Sequence, residues 1–143
     1  MKPKIENLAK EKQLQNVRFI DYLPRDEYEK LLRVADVGLI NLSRKFTIPN
    51  IPSKAVSYME AGIPILAATD KNTDFGKMIE EIGAGLWCET GDLVCYRQYL
   101  DLLLANEELR QGTSKNGMKF MRDELVAENS CSKIVVIGEK IQE

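Results

Sequence analysis

The chain has 143 residues, enough for one domain of ordinary size, and its 44% hydrophobic and 29% charged content belongs to a globular chain rather than a disordered one. A net charge of −2 with the signs interspersed leaves no basic stripe to track a phosphate backbone, so nucleic acid is not expected as a partner. Histidine is absent, which excludes Ser-His-Asp and Cys-His catalysis and every His-ligated metal motif.

Cys88, Cys95 and Cys131 are odd in number and share no CxxC spacing, which argues against a disulfide framework or a zinc site and for a reduced, cytosolic setting. The start lacks the apolar core of a signal peptide, and no run reaches the roughly 20 apolar residues of a membrane span.

In chain order, Ile5 to Lys12 reads as a helix with a solvated Lys/Glu face, and Val17 to Ile20 as a first short strand. Pro24 opens a helix with Asp26 and Glu27 in its first turn, where the helix dipole favours acids, and Tyr28, Leu31, Leu32 and Ala35 follow helical spacing. Val37 to Leu42 is the second strand. Ser53 is expected to cap a helix running to Ala61, ended by Gly62 in a left-handed conformation. Ile65 to Ala68 is the third strand. Thr73 or Asp74 precedes a helix through Met78, Ile79 and Ile82 that closes at Gly83, and Gly85 to Cys88 is the fourth strand. Asp92 caps a helix with Tyr96, Tyr99, Leu100, Leu103 and Leu104 on one side. Asn106 caps another, weakened by Gly112 and Gly117, and Ser130 to Ile141 closes the chain as an amphipathic helix.

Near-continuous apolar strands alternating with helices define an α/β fold, a Rossmann-like three-layer sandwich around a mostly parallel sheet of about four strands. With no linker or repeat, residues 1–143 read as a single domain. Ligands in such sheets sit beyond the carboxyl ends of the strands, here the loops Asp21–Pro24, Ser43–Pro52, Thr69–Thr73 and Glu89–Gly91. The second loop carries Arg44 and Lys45 and runs into a helix that begins Ser53-Lys54-Ala55. A helix N-terminus with a lysine beside it suits a phosphate. The plain alternative is a capped, exposed helix start with a solvated lysine, and spacing alone does not separate the two. Asp70 and Asp74 read as a turn former and a helix cap, Trp87 as core, and Glu60 as a surface carboxylate.

The order of these segments resembles the C-terminal domain of a retaining GT-B glycosyltransferase of family GT4. NVRFIDYLPRDEYEKLLRVADVGLINL is similar to that family's third strand, helix and fourth strand, and IPSKAVSYMEAGIPILAA to its donor-site helix and fifth strand. IGAGLWCETGD and LRQGTSKNGMKFM continue the likeness, which covers the chain from about Gln15 and looks closest to a bacterial subgroup building surface polysaccharides. The resemblance implies a nucleotide-binding set of Tyr22 and Leu23 at the base, Ser53 and Lys54 at the diphosphate, and Ser57 at a ribose hydroxyl. It implies no cofactor or metal and assigns no catalytic residue: the places of two glutamates found in many members fall on Pro49 and Ser57. The implied ligand is a nucleotide-diphosphate sugar, a UDP-sugar ahead of a GDP-sugar, in a cytoplasmic setting that includes the inner membrane face.

Relative to that family, the first two strands of the domain, a diphosphate-holding basic loop and the acceptor-binding N-terminal domain have no counterpart in this sequence. The isolated chain is therefore expected to bind a donor without transferring sugar. The expected sheet is left with a gap between Val17–Ile20 and Val37–Leu42, closed by direct pairing of the two or by a second copy, giving a homodimer or strand-swapped dimer. The alternative from another class is a non-catalytic α/β interaction module that assembles with itself or with a separate N-terminal half. A generic Rossmann-like or receiver-like domain ranks last, for want of a Gly-rich loop and an acidic cluster.

Overall fold

The computed structural model describes residues 2–45, 48 and 50–125. The expected terminal helix Ser130–Ile141, together with Cys131, lies outside the described residues. The chain divides into two compact units, Met1–Lys30 and Leu31–Glu143.

In the first unit, α1 spans Lys2–Glu11 and stops where Gln13 takes φ 53°, a left-handed conformation unusual without glycine. The amide of Leu14 donates to Ala9 O at 3.0 Å and that of Gln13 to Lys10 O at 3.0 Å, so the final carbonyls are satisfied in the Schellman pattern. Val17–Ile20, expected as a strand, is not one. A strand exists by pairing, and this segment has no ladder partner among the described residues; Ile20 is 55% exposed. Helix α2, Arg25–Leu32, has Asp26 and Glu27 in its first turn as expected and carries exposed ion pairs Arg25–Glu29 at 2.9 Å and Glu27–Lys30 at 3.3 Å.

The second unit holds a parallel three-stranded sheet in the order β1-β2-β3, formed by Gly38–Asn41, Ile65–Thr69 and Gly85–Glu89. Registers Asn41↔Ala68 and Ala68↔Cys88 align the strand ends, so all three chains leave the sheet at one carboxyl edge. Helices α3 (Ser53–Glu60), α4 (Phe75–Ile82) and α5 (Leu93–Ala105) each follow a strand and therefore start at that edge. α6, Glu107–Glu124, follows.

Every residue of β2 is buried because the central strand is covered on both faces. Ile65 and Ala67 point to one face, where Ala55 and Met59 of α3, Phe75 and Ile79 of α4, Ile40 and Ala84 complete a core flanked by Phe120 and Met121 of α6. Leu66 alternates to the other face, toward which α5 packs against β2 and β3 with Leu103 fully buried. Leu104, expected on the packed side, is 55% exposed: the stripe centres on Leu103, and one residue further round the helix faces water. Fully buried Leu66, Ile79 and Leu103 each contribute about 1.5–3 kcal/mol of apolar burial. The fold is thus the α/β, Rossmann-like layering expected, with three strands in the described sheet.

Helix ends follow the sequence closely. Gly62 and Gly83 adopt φ 70° and 72°, and Asp92 and Asn106 cap through bonds from Cys95 N at 3.0 Å and Leu109 N at 2.9 Å. The two central glycines of α6 do not break it. Gly117 is buried where a Cβ would stand 3.2 Å from Met59 Cγ and 3.4 Å from Ala84 Cβ, so its missing side chain lets the helix approach the core. Gly112 faces open space.

Candidate functional site

The carboxyl edge of the sheet is the candidate site, and its loops are tied across the strands. Leu42 N extends the β1–β2 ladder by donating to Ala68 O at 2.9 Å, and Thr90 N donates to Thr69 O at 2.8 Å. The Thr90 hydroxyl then reaches over the end of β2 to Leu42 O at 2.9 Å, and Arg44 Nε returns the link by donating to Thr90 O at 2.5 Å. The guanidinium lies against Gly91, whose φ of 98° and missing Cβ make room for it. Arg44 is thereby an anchored, exposed cation at this edge.

Helix α3 begins differently from the expectation. Ser53 does not cap it: Pro52 occupies the N-cap position with no side-chain hydrogen bond, and Ser53 is the first helical residue. Proline's fixed φ suits the helix entry, and it leaves the first amides without a side-chain acceptor. Ser53 and Lys54 are exposed at this start. Ser57, half-buried one turn on, spends its hydroxyl on Ser53 O at 3.5 Å, a long bond that a better acceptor can displace. Tyr22, 80% exposed, and Leu23, half-buried, belong to the first unit.

The turn after β2 is a polar knot. Trp87 of β3 donates through Nε1 to Thr69 Oγ1 at 2.9 Å, and the hydroxyls of Thr69 and Thr73 both donate to Asp70 O at 3.3 Å. Asp74 takes the N-cap position of α4 as expected, but its side chain makes no capping hydrogen bond. Asp70 forms the turn expected of it, with Oδ1 accepting from Asn72 N at 2.8 Å. Asp70 is only 6% exposed, and its Oδ2 has no partner among the described residues. The sequence pointed to the turn; it held no signal for the buried orphan oxygen. Likewise Thr90 lay in the expected Glu89–Gly91 loop with no signal of its own, and only the pairing order puts it across from Leu42.

A depression of about 220 Å³ opens at the same edge between Asn41, Ala68, Thr90, Gly91, Leu93 and Tyr96. A larger one of about 380 Å³ lies at the amino end, around Asp36, Gly62 and Pro64, where an open α/β sheet does not build its ligand site. Beside β3, burial first, and then the neighbouring Cys95 and Asp92, push the Cys88 thiol up to about 11, so it remains a neutral, inert thiol near pH 7. Among the described residues no group of three or more Cys, Asp or Glu side chains is placed to hold a metal ion. No described helix is long and apolar enough to cross a membrane.

A parallel α/β sheet whose crossover helices all start at its carboxyl edge defines a Rossmann-like α/β protein. Residues 1–120 match the family described as glycosyl transferases group 1, and the chain belongs to that family. It is 32% identical over 97 residues to a probable glycosyltransferase, WbjE, of Pseudomonas aeruginosa, a match covering 68% of this chain and 24% of that protein. The chain thus matches about a quarter of its curated relative.

Proposed function

We propose that the carboxyl edge of the second unit binds the diphosphate of a nucleotide-sugar donor, and that the chain is the donor-binding part of a glycosyltransferase of glycan biosynthesis working in the cytoplasm or at the inner membrane face. The observation that carries this reading is the start of α3. Its leading amides lack a side-chain cap and Lys54 stands exposed beside them, at the edge where α4 and α5 also begin. Three helix N-termini with Arg44 and Lys54 among them make a field suited to two phosphates. Ser53 is at hand for a phosphate oxygen and Ser57 for a ribose hydroxyl.

Family membership supports a nucleotide-sugar donor, and the relative's description supports sugar transfer. The matched segment is 24% of that relative's length, and donor binding is the step we assign to this chain. Calorimetric titration with UDP and then GDP at low salt tests the reading. Binding of UDP ahead of GDP is the expected result; heat from neither removes the donor site.

One observation favours a second reading, assembly. β1 pairs only with β2 among the described residues, and Leu39 on it is 41% exposed. An open, partly apolar strand of this kind is where a second copy or a separate N-terminal half would add. A monomeric mass by light scattering across a concentration series would remove the homodimer.

A further inference from the structure

The Asp70 carboxylate stands out as a buried acceptor that the fold does not use in full. It follows directly on β2, the central strand, and is 6% exposed. One oxygen, Oδ1, is held by Asn72 N at 2.8 Å, while the backbone carbonyl is fixed by the Thr69 and Thr73 hydroxyls. The other oxygen, Oδ2, is buried without a partner among the described residues. Buried polar atoms are nearly always satisfied, and an ionised oxygen left without a donor is among the costliest exceptions. The turn needs only Oδ1, which an asparagine would supply as well.

We propose, resting on the donor-site reading above, that Asp70 Oδ2 accepts a hydrogen bond from a hydroxyl of the bound nucleotide sugar, on either its ribose or its sugar ring. A carboxylate only accepts, so it repels phosphate and selects a hydroxyl or a cation. Arg44, Lys54 and the N-termini of α3, α4 and α5 lie at the same edge and disfavour a cation. No cluster of further ligating side chains stands ready for a metal among the described residues. A hydroxyl is what remains, and a nucleotide sugar carries hydroxyls beside its phosphates. Register supports the neighbourhood: Asn41 of β1 is level with Ala68, so Asp70 leaves the sheet one strand over from the loop that leads into α3. Adjacent strands are about 4.8 Å apart, so Asp70 and the first residues of that loop leave the sheet as neighbours. Oδ2 is closed to solvent, and the exposed Lys71–Asn72 turn that follows Asp70 is held by its other oxygen, Oδ1. Asp70 is thereby a donor-positioning residue that discriminates a polyol from a bare phosphate.

The experiment is calorimetric titration of the wild-type chain and Asp70→Asn with inorganic pyrophosphate, UDP and UDP-glucose. Asparagine keeps an oxygen for Asn72 N and loses the second acceptor. The expected result is pyrophosphate affinity unchanged or tightened, since the variant loses a negative charge, with about ten-fold or greater weakening of a hydroxyl-bearing ligand. Loss already present with UDP assigns the ribose; loss appearing only with UDP-glucose assigns the sugar ring. If the asparagine variant does not fold, Asp70→Ser, whose hydroxyl can take the turn bond, replaces it in the same titrations. Equal affinities of wild type and variant for all three probes overturn the proposal, and so does an equal loss for all three, which would mean Asp70 acts through the fold. In both cases the donor-site reading survives on the wild-type binding. A wild-type chain that binds none of the probes overturns that reading and this proposal together.

Discussion

Arg44 Nε donates to the carbonyl oxygen of Thr90 at 2.5 Å, joining the loop after β1 to the turn after β3 across the end of the strand between them. Together with the Thr90 hydroxyl on Leu42 O, this bond fixes the path of the chain as it leaves β1 for α3. Replacing Thr90 with Val removes the hydroxyl and leaves Leu42 O short of a donor. The expected cost is about 0.5–1.5 kcal/mol, read as a lower urea midpoint with unchanged slope. Arg44→Ala, at an exposed position, should cost less stability and lose pyrophosphate affinity instead, read by calorimetric titration.

Lys54 is exposed and forms no ion pair among the described residues, so Lys54→Ala should leave the thermal midpoint within a degree or two. Pyrophosphate affinity should fall by about three- to ten-fold at low salt, with the difference shrinking as ionic strength rises. Affinity that is the same for both proteins at every salt concentration takes Lys54 out of the site.

The two central glycines of α6 should respond in opposite ways. Gly112 meets nothing within 4 Å, so alanine there gains about 1 kcal/mol of helix propensity at no steric cost. Gly117→Ala would press a methyl to 3.2 Å from Met59 Cγ in a packed core. Overpacking of about 1–3 kcal/mol then cancels or exceeds the same propensity gain. Paired thermal melts decide it, and a stabilised Gly117→Ala would show that Met59 yields to the added methyl without cost.

Cys88 carries an alkaline signature. Its pKa rises from 9.0 to about 11 because burial disfavours the thiolate and Cys95 and Asp92 add to the effect. The native state therefore holds the proton more tightly than the unfolded chain. This contribution to stability is whole below pH 9.0 and is lost as the pH climbs through about 11. Urea midpoints taken between these limits should fall for the wild type and fall less for Cys88→Ala, which itself starts lower from lost packing. At pH 8, Cys88 should resist alkylation until denaturant is added.

Much of the second unit was legible because burial on two faces leaves a plain mark. Val37–Leu42, Ile65–Ala68 and Gly85–Cys88 are apolar runs, and each was a strand within a residue or two. Gly62, Gly83, Asp92 and Asn106 marked helix ends through conformations or bonds that only a few residue types supply. Val17–Ile20 carries the same mark and forms no strand, since composition reports the wish for burial and pairing needs a neighbour.

By itself, the sequence determined the alternation of strand and helix, the helix terminators and the edge where a ligand belongs, because these depend on residues close together in the chain. The tertiary structure decided which residues meet at that edge. It set Thr90 against Leu42 and Arg44, opened the first amides of α3 by placing Pro52 rather than Ser53 at the cap, and buried Asp70 with one oxygen spare. These relationships join segments tens of residues apart, and the partner of a polar atom across a sheet is fixed by strand order and register, which local pattern does not encode.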